Sequence, residues 1–342
     1  MTMLISRRRL LLGGAAALVG TVSASACSGG EPRTGGSAVE KVTVLTGAGF
    51  QGREAPIFVA KAEGWFRAEG LDVQVLAGKG STENMRMLAS GAAVFATVDV
   101  NAAMIEYSKP GGIQDVVLTS VLHQRNLACF VALRSGGINR PDDLAGRRLS
   151  YLPGGINHVL FATYAQLAGF DPSKIEWVSN PVPTQHAALL AAGKVDAISQ
   201  FVPAVESVRD LAGEELTVLP FVDYIGDLHG SAIAVARKTA EENPDLVRRF
   251  NRALLRGLRH ALDHPDLAGQ VYAAQAETQG QPAATATSEL VGLRGYVEPL
   301  GGSPFGHFDM VRVARNIAIL RGAGAIAPGL TPQDVVTPGL AG

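Results

Sequence analysis

The sequence predicts an α/β protein of two lobes, and three observations carry that reading. Short β-branched runs recur about ten times along the chain. Glycine-bearing turns and helical patterns separate most of them, as parallel sheets flanked by helices require. Once a leader and a tether are set aside, about 300 residues remain, which exceeds one comfortable sheet.

The strands are predicted, in order, at 42–45, 71–76, 94–98, 116–121, 127–133, 148–151, 175–178, 197–201, 216–222 and 232–236. The helices carry their own punctuation. Pro56 sits in a first turn ahead of Ile57, Phe58, Ala62, Trp65 and Phe66, with Gly64 and Gly70 breaking that element. Thr184 is placed to cap 185–192, and Gly193 to stop it. From Pro244, residues Leu246, Val247, Phe250, Leu254, Leu258 and Leu262 share one face until Pro265. Arg248, Arg249, Arg252, Arg256 and Arg259 mark the opposite side, which reads as a solvated face.

Runs 116–121 and 127–133 follow one another without a helix, as do the runs around Leu228–Ala232, so these are the expected crossings between lobes. The resulting division is residues 41–123 with 232–342 for lobe 1 and 124–231 for lobe 2.

The first 40 residues read as an address. Arg7, Arg8 and Arg9 precede an apolar run at 10–22 that is shorter than the roughly 20 residues of a membrane span, so 1–26 is a signal peptide. Ser6 to Leu11 resembles a twin-arginine export motif. Ala24-Ser25-Ala26 suits a general signal peptidase, and with Cys27 it resembles a lipobox. Either cut leaves Cys27 first, and 27–40 has the composition of a flexible tether, so a lipid anchor on Cys27 is expected. The second of the two cysteines, Cys129, lies in an apolar run and is expected as a buried thiol with no disulfide.

Composition excludes other classes. Thirty basic against 31 acidic residues give a net charge of −1, which leaves no surplus for counterion release on nucleic acid. Gly47-Ala48-Gly49-Phe50-Gln51-Gly52 is formally a dinucleotide fingerprint, but Pro56 starts the helix after the third glycine, and the acid of the next strand, Asp72, lies at its beginning. An exported NAD(P)-dependent oxidoreductase using this turn is kept as the alternative of another class. His260 and His264 have ligand spacing without a third ligand nearby, so no metal is expected, and no cofactor.

Residues 55–73, Ala55-Pro56-Ile57 through Gly64-Trp65-Phe66 to Gly70-Leu71-Asp72-Val73, resemble the opening signature of the solute-binding family that serves thiamine-precursor and alkylsulfonate importers. Further pieces are 88–91, 135–148, 189–197 and 243–250, with Ala253, Gly257 and Pro265. The chain departs from the pattern at Ala93-Val94-Phe95, where an acid-aromatic pair is usual. It also lacks the cysteine-rich motif of the eukaryotic pyrimidine synthases of the same superfamily.

The resemblance implies a type 2 periplasmic-binding-protein fold, two α/β lobes joined by two hinge crossovers with the ligand cleft between them. It further implies a monomeric lipoprotein at the outer face of the cytoplasmic membrane, or in the periplasm, that delivers a small molecule to an ABC permease without catalysis. A thiamine-pyrimidine-like vitamin precursor is the favoured ligand, with alkylsulfonate, taurine or nitrate as the alternative.

In open α/β sheets ligands sit outside the carboxyl ends of strands. That rule selects Phe50, Gln51 and Arg53; Asp99 and Asn101; Gly154, Gly155, Asn157 and His158; Gln200 and Phe201; and Tyr224 and Asp227. Phe50, Phe201 and Tyr224 offer stacking surfaces, Asp99 or Asp227 a partner for an amine, and Arg53 one for an anion.

Overall fold

The computed structural model describes residues 39–278, 280–300 and 302–342. The segment 1–26 read as a signal peptide, Cys27 and nearly all of the segment 27–40 read as a tether lie outside the described residues. The first strand takes in Glu40, at the end of the segment read as tether.

Ten strands form: β1 (Glu40–Leu45), β2 (Leu71–Leu76), β3 (Phe95–Asp99), β4 (Val116–Val121), β5 (Ala128–Leu133), β6 (Arg148–Tyr151), β7 (Glu176–Ser179), β8 (Ala197–Phe201), β9 (Leu216–Pro220) and β10 (Ser231–Ala236). They make two five-stranded sheets, ordered β2-β1-β3-β10-β4 and β7-β6-β8-β5-β9. Every residue of β3 and β4 is buried, whereas the edge strand β2 alternates, with Val73 and Val75 inward and Asp72 and Gln74 outward.

The sheets are not purely parallel, as the sequence had suggested. β5 runs antiparallel to β8 and β9, and β10 antiparallel to β3 and β4. The reason is geometric. A parallel neighbour needs a long crossover, usually a helix. β5 and β10 are each the first strand of the chain after it changes sheets, and they insert from the opposite direction.

The two crossings lie side by side. His123 O accepts from Gly230 N–H at 2.9 Å, Leu228 O from Asn126 N–H at 3.1 Å, and Ser231 O from the N–H groups of Leu122 and His123. Gly230 is required there, because a Cβ would stand 2.6 Å from Arg125 O and 2.8 Å from His123 Cβ. The return crossing is longer than the sequence suggested: Pro220, lacking an N–H, ends β9, and a one-turn helix at Val222–Ile225 follows.

A helix at Met310–Gly322 fastens both crossings. The buried Arg312 guanidinium donates to Gln124 Oε1 (3.0 Å), Gln124 O and Asp227 O (3.0 Å). Asn316 donates to Asp227 O at 2.7 Å and accepts from His229 N–H at 3.1 Å.

The helix Pro244–Asp263 packs its apolar face on the first sheet, where Phe250 stacks on Phe95 with ring centroids 3.7 Å apart. Its arginines are less free than the sequence implied. Arg249 pairs with Glu40 and Asp245, Arg252 with Glu69, and the guanidinium of Arg248 reaches Gly339 O. Arg256 lies over Trp65 and Arg259 over Phe305.

Gly257 faces the helix Ala55–Ala62 so closely that a Cβ would meet Pro56 O at 2.5 Å and Ala60 Cβ at 2.8 Å. Gly257→Ala gains about 1 kcal/mol of helix propensity but forces backbone apart, so a net loss of about 1–2 kcal/mol is expected in chemical denaturation. A variant as stable as wild type would show that the helices part without cost.

Candidate functional site

The site is a cavity of about 80 Å³ between the two sheets, lined from both. On the first side, the loop after β1 is fixed by Asn84, a wholly buried residue whose amide donates to Thr46 O (2.8 Å), Gly47 O (3.1 Å) and Thr97 O (3.0 Å). Its Oδ1 accepts from Lys79 N–H at 3.0 Å, which ties in the loop after β2. Gly78 permits that approach, since a Cβ would fall 1.8 Å from Thr46 O.

A 3₁₀ turn at Gly52–Glu54 then presents Arg53 and Glu54. Gly52 lets this turn reach the helix Ala283–Val297, whose Glu289 accepts from Arg53 N–H at 3.1 Å and stands 3.6 Å from the guanidinium. Arg53 lies over the Phe201 ring of the second sheet at 4.2 Å, so this contact spans the cavity. Burial pushes the Glu54 carboxyl above its ordinary range, while Arg53 and the Gly47 N–H pull the other way.

At the end of β3, Asp99 caps the helix Val100–Ser108. Its Oδ1 accepts from Asn101 N–H (2.8 Å), Ala102 N–H (3.3 Å) and the Asn101 amide (3.1 Å), and its Oδ2 from Asn126 (3.2 Å). Burial raises this carboxyl to about 7 against those four donors. His123, in the first crossing, is lowered to about 3 by burial and by nearby Arg53, so it is neutral.

On the second side, Asn157 donates to Cys129 O (3.0 Å) and Gln200 O (2.8 Å), joining the helix Ile156–Val159 to β5 and β8. His186 Nε2 meets Asn180 O at 3.1 Å, and its Nδ1 lies 3.4 Å from Ser150 Oγ. A carbonyl only accepts, so Nε2 carries the proton and Nδ1 receives the serine's.

Of the residues the sequence nominated, Gln51, Arg53, Asp99, Gly155, Asn157, Gln200 and Phe201 line this cavity. Six do not. Phe50 packs on Phe58 at 6.0 Å, and Asn101 is buried behind Asp99 with its amide on His229 O. Gly154 forms the turn beside the cavity with φ of 70°. His158 packs on Tyr151 and Trp177, and Tyr224 on Tyr164. Asp227 is held by Arg315 at 2.7 Å and Arg312 at 3.3 Å, which keep its carboxyl below the usual range.

Sequence reasoning missed Glu54, Ser81, Thr97, His123, His186 and Ser199, which also line it. One signal existed: Thr97 and Asp99 interrupt an apolar strand two residues apart, and period two puts them on one face.

The Gly47–Gly52 turn does not cradle a pyrophosphate. Gly47 N–H is engaged by Glu54 (3.1 Å) and Gly49 N–H by Gly78 O (2.8 Å). The helix begins at Ala55, beyond the third glycine. His260 and His264 lie with ring centroids 4.6 Å apart and planes tilted by 53°, and His260 lies edge-on to Trp65. Among the described residues no cluster of three metal-ligating side chains occurs.

The sequence model of the family described as NMT1/THI5 like matches residues 51–268. The chain belongs to this family. The riboflavin-binding protein RibY of Chloroflexus aurantiacus is 28% identical over 218 residues, which cover 62% of this chain and 60% of that protein. A formylaminopyrimidine-binding protein of Halalkalibacterium halodurans is 24% identical over 212 residues, 61% of this chain and 63% of the relative. This chain thus matches about six-tenths of the length of these relatives. The alkanesulfonate-binding protein SsuA of Xanthomonas axonopodis pv. citri, solved bound to MOPS, superposes with a TM-score of 0.67 at 15% identity, covering 86% of this chain and 97% of that one. The fold of this NMT1/THI5-like chain is therefore the type 2 periplasmic-binding-protein fold.

Asp99 makes stability depend on pH with a definite sign. Its folded value, about 7, lies above the ordinary 3.8, so the folded state holds the proton more tightly. This contribution is full below pH 3.8 and is lost as pH rises through 7. Asp99→Asn should remove it: the wild-type advantage over the variant in chemical denaturation should shrink from pH 4 to 7, by an amount on the order of a few kcal/mol. A pH-independent difference would show that the capping donors hold Asp99 ionised throughout.

Proposed function

We propose that this protein is the extracytoplasmic solute-binding component of an ABC importer, which closes on one small molecule and presents the closed form to the permease. The carrying observation is the cavity itself. Arg53, Thr97 and Asp99 from one sheet face Asn157, Ser199 and Phe201 from the other, across two crossings that can act as a hinge. A solute touching both walls stabilises the closed arrangement by its differential affinity. Family membership and the binding proteins among the relatives support this reading.

The polar groups are arranged for holding rather than for proton transfer. Asp99 is saturated by donors, Asn157 by two carbonyls and His186 by Ser150 and Asn180. The reading therefore includes no catalytic step.

Two ligand classes divide the observations. A sulfonate or related anion is supported by Arg53, whose Nη1 makes no hydrogen bond, and by the sulfonate-binding proteins that share the fold. An amine-bearing heteroaromatic ring is supported by Glu54 in the cavity and by Phe201 as a stacking surface. A thermal-shift panel of taurine, alkylsulfonates, nitrate, riboflavin and 4-aminopyrimidines should yield one class that raises the midpoint by several degrees at saturating concentration. Stabilisation by NAD or NADP alone would replace the importer reading with the oxidoreductase one.

The same reading places the mature chain outside the cytoplasm, monomeric and tethered by a lipid on Cys27. Cys27→Ser should shift the protein from the membrane fraction to the soluble exported fraction. Undiminished membrane retention of the variant would sink the anchor.

A further inference from the structure

Among the described residues, eleven buried side-chain nitrogen or oxygen atoms have no hydrogen-bond partner, and four of them belong to residues lining this one cavity: Arg53 Nη1, Thr97 Oγ1, His123 Nδ1 and Ser199 Oγ. Arg53, Thr97 and His123 are 9%, 4% and 4% exposed. A buried polar atom without a partner costs stability, so such atoms are ordinarily few and scattered. Four gather at one cavity, three on the first side and one on the second, and the Arg53 nitrogen among them has the Glu289 carboxylate, 3.6 Å away, as a charge partner.

The three on the first side stand together. Arg53, Glu54, Thr97 and His123 also line a smaller chamber of about 20 Å³ directly behind the cavity, whose other walls are Pro56, Ile57, Leu122, Leu254 and Leu258. A point at Cβ distance from Gly47 Cα lies 3.3 Å from Glu54 Oε1 and 3.8 Å from Thr97 Cγ2, so both side chains border the Gly47 backbone. Arg53 is close enough to His123 to help keep the imidazole neutral.

Resting on the solute-binding reading, we infer that Arg53, Thr97 and His123, faced by Ser199, form a polar anchor for an acceptor-rich oxygen group of the ligand. The donor inventory decides the class. Arg53 Nη1 can only donate, the two hydroxyls donate or accept, and neutral His123 can present Nδ1 as a donor. A group accepting from all four bears two or more oxygens, as a sulfonate does and as the paired carbonyls of a flavin ring do. A ring amine offers Arg53 nothing. The flanking Glu54 is kept compatible by the burial that favours its protonated form.

The occupant to be excluded is a fixed water, for which the rear chamber has room. Thr97→Val removes Oγ1 and keeps the shape. If a solute fills the anchor, the ligand-free variant loses nothing by that change. Its melting temperature stays level or rises, while affinity falls about tenfold or more for taurine or riboflavin, whichever the wild type binds. His123→Leu and Ser199→Ala should show the same opposed movement, so one variant that folds poorly does not decide the matter.

A ligand-free Thr97→Val protein that melts several degrees lower, with affinity unchanged, would mean the atoms are satisfied by water, and the anchor fails while the importer reading stands. Wild-type binding of 4-aminopyrimidine without either oxygen-bearing probe also overturns the anchor alone. Silence towards all three probes, and towards the alkylsulfonates and nitrate of the wider panel, removes both.

Discussion

The structure turns on one constraint: the chain passes between its two sheets twice, and the two passages must lie against each other. Backbone bonds between 122–126 and 228–231 join them as a short ladder. Those bonds do not by themselves satisfy Gln124 O or Asp227 O, which sit where no strand continues. Arg312 and Asn316 supply the missing donors from a helix near the end of the chain. A guanidinium suits the task, since its donors are spread in one plane and can reach several acceptors at once. The cavity walls are set by this joint, because the chain enters and leaves it through β4, β5, β9 and β10, and the cavity-bearing strands β3 and β8 pair with β10 and β5.

Around that joint the cavity is built from two kinds of polar group. Asn84 and Asn157 donate to backbone of different segments, and Asp99 accepts from the start of its own helix and from the Asn126 side chain of the first crossing, so all three hold the walls in place. Arg53, Thr97, His123 and Ser199 keep capacity in reserve. The first group explains how a surface made of five loops can be rigid without a disulfide. Cys129, the one cysteine among the described residues, is buried with its thiol pushed far up in pKa by its apolar surroundings. The contact of Arg53 with Phe201 joins the two walls across the cavity at modest strength.

All ten strands were legible because each is a compact β-branched or apolar run, a local signal that burial reinforces. Their directions were not. Whether β5 and β10 run with or against their neighbours depends on how the chain enters a sheet, which no window of residues records. Site residues followed the same division. Loops beyond strand ends were readable by rule, which found Gln51, Arg53, Asp99, Gly155, Asn157, Gln200 and Phe201. Thr97 and Ser199 lie within strands and His123 within a crossing, where a polar residue reads as an interruption of the pattern rather than as part of a site. Tyr224 and Asp227 were misplaced because the one-turn helix after Pro220 carries them to other partners. The arginine stripe was likewise read locally, while its partners Glu40, Glu69, Trp65 and Phe305 are distant in sequence.

The insertion of β10 between β3 and β4 also sets an order of events during synthesis. Among the described strands β10 is the sole neighbour of β4 in the first sheet, and it is made only after every strand of the second. A nascent chain that has produced its first 121 residues holds β4, every residue of which is buried in the finished fold, without its partner strand. The second sheet, whose strands are contiguous from Ala128 to Pro220, has all its members before the first can close. The later lobe therefore matures earlier, and the ribosome carries an exposed sheet edge for the intervening hundred or so residues, several seconds at ordinary rates of elongation, about 5–20 residues per second. Such an edge is a template for pairing with another chain until β10 covers it.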